Sequence, residues 1–157
     1  MEEMIKTTPA VFAAGDEYQI FVPVNISCLM WVKVGGETYY DDSNGILRSA
    51  TDIHKVTVPM EALDEAGKYT LCLRPVAERK PYFSETGEVV EKEFPFYPVK
   101  GEKITAYEIA DAHNTVGLVL DAYYKFRDEI GKADFLILNG DVPAHCDKGS
   151  DFDVVFK

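Results

Sequence analysis

The chain has 157 residues, 46% of them hydrophobic and 27% charged, with a formal net charge of −11. That length permits one ordinary domain or two small ones with a real apolar core. So acidic a chain excludes nucleic acid as a main partner, because phosphate contacts need clustered Lys and Arg.

A phosphorylated substrate stays open, since a bound metal can supply local positive charge. No stretch approaches the roughly 20 apolar residues that span a bilayer, so no membrane partner is expected. The acidic start MEEMIKTTPAVFAAG lacks the apolar run of a signal peptide. Cys28, Cys72 and Cys146 are odd in number and widely spaced, which suits reduced thiols better than a disulfide framework. A cytoplasmic location is the default expectation, although a secreted protein trimmed of its leader would read the same.

From Thr8 to Pro98 the pattern is β. Strands are expected at Glu17–Asn25, Cys28–Val34, His54–Val58, Lys68–Val76 and Val89–Val99, all rich in β-branched and aromatic residues and separated by Gly- and Asp-rich turns. Strands at this spacing predict an all-β sandwich of fibronectin type III or immunoglobulin kind. Trp31, mid-strand among apolar neighbours, reads as a core residue. Leu63, Gly67 and Tyr69 resemble a tyrosine corner, in which the Tyr hydroxyl bonds back to the backbone; the plainer reading is an ordinary strand aromatic. Glu78–Glu93 reads as a long hairpin or loop.

The polar joint Val99–Lys103 marks the boundary between a β-sandwich domain, residues 1–100, and a second domain, residues 101–157. There the character changes to strand, helix, strand. Ile104–Ala110 and Ala133–Asp141 are apolar runs of the kind buried on both faces of a parallel sheet. Between them Val116, Leu120, Tyr123, Tyr124, Phe126 and Ile130 recur at helical steps. Asn114 or Thr115 is expected to cap that helix with a side-chain oxygen, and Gly131 to end it in the left-handed conformation. A right-handed crossover makes the two strands parallel and neighbouring.

Both strands end in metal-binding residue types. Asp111 and His113 are separated by one residue, so in an extended segment their side chains point the same way. Asp141 ends the second strand, after Gly140, which permits a sharp turn. Parallel strands lie about 4.8 Å apart, close enough for two carboxylates and an imidazole to converge on a cation at the carboxyl ends of the strands.

Asp111-Ala112-His113 followed by Asn139-Gly140-Asp141 resembles the first two sequence blocks of the calcineurin-like metallophosphoesterases, which carry D-x-H, then G-D, then G-N-H and later histidines. A preceding fibronectin-like β-domain is similar to the layout of purple acid phosphatases. The likeness is close over residues 104–147 and loose elsewhere. It implies that Asp111 and His113 bind one metal and that Asp141 bridges two, the pair being divalent Mn, Fe or Zn. It further implies in-line hydrolysis of a small phosphate ester by a metal-activated water.

Two departures qualify it. Ala144 stands where purple acid phosphatases have Tyr, and His113 where they have Gly, so a tyrosinate-bound ferric ion is not implied. No G-N-H block follows, and His54 and His145 are the only other histidines. The chain is therefore expected to supply only the first ligands, holding at most one ion weakly. The expected fold is the first β-α-β of a four-layer α/β domain, completed by a missing carboxyl-terminal part and inactive without it.

Four further signals carry alternatives. Asn139 is either a donor that holds Asp141 or plain turn material before Gly. His145 is the one further candidate for touching substrate or metal, against a surface-loop histidine. The cluster His145-Cys146-Asp147 matches no trusted zinc spacing, and Asp147, Asp151 and Asp153 fail the calcium-loop pattern. His54, with no partner in sequence, reads as structural or neutral. The competing function is a non-catalytic binding or interaction module, in which Tyr39, Tyr40, Tyr82 and Phe83 line a sugar or peptide groove and the α/β appendage is degenerate.

Overall fold

The structure is a computed structural model that describes residues 1, 3–43, 45–79, 81–99, 101–145 and 147–148. The chain divides into two compact units, Met1–Pro98 and Val99–Lys157.

The first unit is built of antiparallel β-strands. One sheet has the order β1 (Ala10–Ala14), β2 (Glu17–Pro23), β7 (Ile53–Pro59). The other has the order β10 (Val90–Pro95), β8 (Lys68–Arg79), β3 (Cys28–Val34), β4 (Glu37–Tyr40), with β9 (Ser84–Thr86) also on β8. A two-stranded turn of β5 (Asp42–Ser43) and β6 (Ile46–Leu47) joins β4 to β7.

Alternation along each strand selects the inner face. Cys28, Met30, Val32 and Val34 of β3 are buried, as are Val56 and Val58 of β7, and Leu71 and Leu73 of β8. With Ile20, Val22 and Leu63 they form one core shared by both sheets, the arrangement of a β-sandwich. Each such side chain contributes about 1.5–3 kcal/mol by leaving water.

The same alternation overturns the core reading of Trp31. It lies between inward Met30 and Val32, so its ring faces outward, half-buried, 6.3 Å from Tyr40 and beneath the Arg74 guanidinium at 6.0 Å.

A short helix, α1 (Met60–Ala66), was not expected. Its Leu63 is buried and Gly67 closes it at φ 63°, with its N–H donating to the Leu63 carbonyl at 2.9 Å. Tyr69 follows, buried, with its ring stacked on Phe94 at 5.6 Å. Burial alone raises its hydroxyl above the ordinary range. Among the described residues that hydroxyl makes no hydrogen bond, so the side chain serves here as a core ring.

The second unit contains β11 (Ala106–Ile109), α2 (Val116–Ile130) and β12 (Phe135–Leu138). The strands pair in parallel, from Ala106 opposite Phe135 to Ile109 opposite Leu138. Asp134 pins their entrance: its N–H donates to the Thr105 carbonyl, and its carboxylate accepts the Thr105 N–H, each at 2.7 Å. The helix packs through Tyr123 and Phe126, whose rings lie 5.2 and 5.1 Å from Tyr107.

β12 departs from the expected buried strand. Phe135, Leu136, Ile137 and Leu138 are 40, 53, 39 and 43% exposed, so both faces are open. One helix covers one side of two strands, and Leu120, Tyr124 and Ile130 of α2 are exposed as well. Neither helix cap has the expected form. Thr115 occupies the N-cap without a side-chain bond to the helix, and Gly131 sits at φ 105°, ψ −162°, outside the left-handed helical region. Among the described residues, no helix is long and apolar enough to cross a membrane.

Candidate functional site

Past β11 and β12 the two chain segments stay hydrogen-bonded to one another. The Asn139 N–H donates to the Ile109 carbonyl at 2.7 Å, extending the ladder. Beyond it the Asp111 N–H reaches the Gly140 carbonyl at 3.1 Å, and the His113 N–H the Asp141 carbonyl at 3.0 Å. The Asn114 N–H then meets the Val142 carbonyl at 3.0 Å. Asp111, His113 and Asp141 are thereby held on adjacent stretches of backbone at the carboxyl ends of neighbouring parallel strands.

The backbone there is unusual. Asp111, His113, Asn114 and Asp141 have φ of 56, 44, 67 and 48°, and they are the non-glycine residues with positive φ among those described. Left-handed backbone costs an L-residue roughly 1–2 kcal/mol, although Asp, His and Asn enter it more readily than others. Strain of this kind collects at functional sites. The strand alternation that brings Asp111 and His113 together in an extended chain therefore does not operate. They meet through two left-handed turns around buried Ala112, with His113 Nε2 2.6 Å from Asp111 Oδ1.

Asn114 fixes the loops further. Its Oδ1 accepts the Ala144 N–H at 3.1 Å, so this side chain clamps the second loop instead of capping α2. The Thr115 hydroxyl donates to the Ala112 carbonyl. The Asn139 amide donates to Glu108 Oε1 at 2.6 Å and not to Asp141. His145 is exposed, and Cys146, Asp151 and Asp153 lie outside the described residues.

Two carboxylates and an imidazole are residue types that suit a divalent ion accepting O and N donors. The side chains do not enclose one. Among the described residues no group of three His, Cys, Asp or Glu gathers closely enough to hold a metal. Asp111 and His113 are turned on each other, and no described hydrogen bond or ion pair joins the Asp141 carboxylate to either.

A second polar cluster lies in the core of the sandwich. His54 and Cys28 are fully buried and Asp41 is 2% exposed. His54 Nδ1 contacts Asp41 Oδ2, while His54 Nε2 is 3.5 Å from Cys28 Sγ. Burial lowers the His54 imidazole below its ordinary value, opposed by its bond to Asp41, and burial pushes the Cys28 thiol up to about 11. A neutral imidazole donates from Nδ1 to Asp41 and accepts the Cys28 S–H at Nε2. The order of atoms is that of a Cys-His-Asp nucleophile, but a reactive thiol needs exposure and a depressed pKa. This one has the reverse, and it ties β3, β7 and the turn after β4 together. Nothing in the spacing of Cys28, Asp41 and His54 announces the cluster.

Compared with models of known protein families and with curated proteins, the chain matches none.

Proposed function

We propose that the chain is the opening part of a dinuclear metallophosphoesterase, with a fibronectin type III-like β-sandwich ahead of the first β-α-β of its catalytic domain. The observation that carries this reading is the set of left-handed turns bearing Asp111, His113 and Asp141 at adjacent, hydrogen-bonded strand ends. Asp111 and His113 are the proposed ligands of one divalent ion of Mn, Fe or Zn, and Asp141 the bridge to a second. Such ions supply Lewis acidity and activate water near neutral pH. The chain's own contribution is rigid placement: Asn114 clamps the loop beyond Asp141, and the amides of Asp111 and His113 fix its approach.

The open faces of β12 and the exposed Leu120, Tyr124 and Ile130 are the surface that the remaining layers of such a domain would cover. The substrate class is a small phosphate ester. Free, buried Cys28 and Cys72 support a cytoplasmic setting.

The test uses the protein expressed from its full open reading frame, with Mn(II) and the substrates p-nitrophenyl phosphate and bis-p-nitrophenyl phosphate. Hydrolysis of either, abolished by Asp141→Asn, supports the assignment. Turnover unchanged by that substitution overturns it.

A further inference from the structure

β4 and β7 are outer strands of different sheets, and where they approach each other the sandwich is open. A cleft of about 570 Å³ lies there, within the roughly 300–1,000 Å³ of small-molecule sites. Thr38, Tyr39 and Tyr40 of β4 line it on one side, Lys55 and Thr57 of β7 on the other, and Arg48 and Asp41 belong to its lining as well.

Asp41 gives the cleft its character. Its carboxylate is 2% exposed, and Oδ2 is held by buried His54. Oδ1 has Arg48 Nη1 at 3.8 Å, beyond hydrogen-bond range. Among the described residues no side-chain oxygen is both sealed from solvent and without a hydrogen bond, so Oδ1 is reached by solvent, and a ligand hydroxyl in the cleft can take that water's place without moving the protein. Arg48 is itself steadied by a 3.0 Å bond to the Thr51 hydroxyl.

Charge then selects the ligand. Arg48 and Lys55 balance Asp41 and Asp42 around the same cleft, so an anion meets two carboxylates and a cation meets two basic groups. A neutral ligand that both donates and accepts suits the mixture. Among the described residues no aliphatic hydrocarbon side chain lines the cleft, so its apolar surface is that of the Tyr rings and the Thr methyls. The Tyr rings offer flat faces to C–H groups, and Tyr40 is 49% exposed. We propose that this cleft binds a short neutral carbohydrate, independently of any metal site in the second unit.

The experiment is an amide chemical-shift titration of the full chain with maltose, cellobiose and N,N′-diacetylchitobiose, with inorganic phosphate and glucuronate as anionic controls. Saturable shifts confined to residues 38–42, 48 and 55–57 with a neutral disaccharide, in the millimolar range, are expected. Tyr40→Ala and Lys55→Ala, at exposed positions that leave the dispersed spectrum intact, should each weaken binding about tenfold. The inference is overturned if none of the three sugars shifts those residues. It is equally overturned if phosphate or glucuronate saturates them at lower concentration than any sugar.

Discussion

The amide of His113 donates to the carbonyl of Asp141 at 3.0 Å, with both residues at positive φ. Two strained residues in the loops after different strands thus share one hydrogen bond. The strain is held in place by the amides on either side of it, which makes it open to test.

Replacing His113 by Gly removes the cost of a side chain at φ 44°. His113→Gly is expected to stabilise the second unit by about 1 kcal/mol, read as slower hydrogen exchange at the Asp111 and Asn139 amides. The same change should weaken Mn(II) binding at least about tenfold, or 1.4 kcal/mol. Stability and binding moving in opposite directions would mark His113 as retained for its imidazole. Exchange rates and affinity both unchanged would leave it a turn residue.

Asn114 makes two separable contributions, one from its backbone at φ 67° and one from Oδ1 on the Ala144 N–H. Asn114→Gly keeps the first and loses the second, at about 1 kcal/mol. Asn114→Ala loses both, at about 2 kcal/mol. Exchange at the Ala144 amide should quicken in both variants, whereas the amide of residue 114, bonded to Val142, should loosen only in the Ala variant.

The buried line Asp41–His54–Cys28 sets a pH window for the sandwich. The folded His54 value is lowered beneath its ordinary 6.5, chiefly by burial. The unfolded chain therefore takes up the proton first. The stability tied to a neutral His54 is complete above 6.5 and is lost as pH falls towards the lowered folded value. Cys28 and Cys72 are raised from 9.0 to about 11, chiefly by burial. Their contribution is complete below 9 and is lost as pH rises towards 11. Denaturation of the first unit should accordingly show a plateau between those limits. Asp41→Ala, which leaves the buried Nδ1–H without its acceptor, should cost about 1–3 kcal/mol. A flat profile in that variant and the parent alike would contradict the assignment of a buried neutral His54.

Much of the architecture was legible because burial imposes a period. β2, β3, β7 and β8 fall on the expected stretches, and β11 and β12 lie inside apolar runs joined by a helix at the expected place. The same period, applied strictly, turns Trp31 outward; its apolar neighbours alone suggested a core. β1 and β4 are short, with most of their residues exposed, and α1 has no side-chain cap, so none carries a strong local signal. Of the proposed metal site, the residue types and strand ends could be read in advance. The left-handed turns could not, because they arise from bonds between loops some 25 or more residues apart in sequence, such as His113 to Asp141. The His54 cluster was hidden for the same reason, its partners lying 13 and 26 residues away.

Mn(II) added to the full chain, with paramagnetic broadening of amide signals as the readout, tests directly whether the ends of β11 and β12 grip a divalent cation. Broadening should centre on residues 111–114 and 139–142, appear at low Mn(II), and vanish in Asp141→Asn. Signals there that stay sharp while acidic patches elsewhere broaden, or a pattern indifferent to Asp141→Asn, would contradict it.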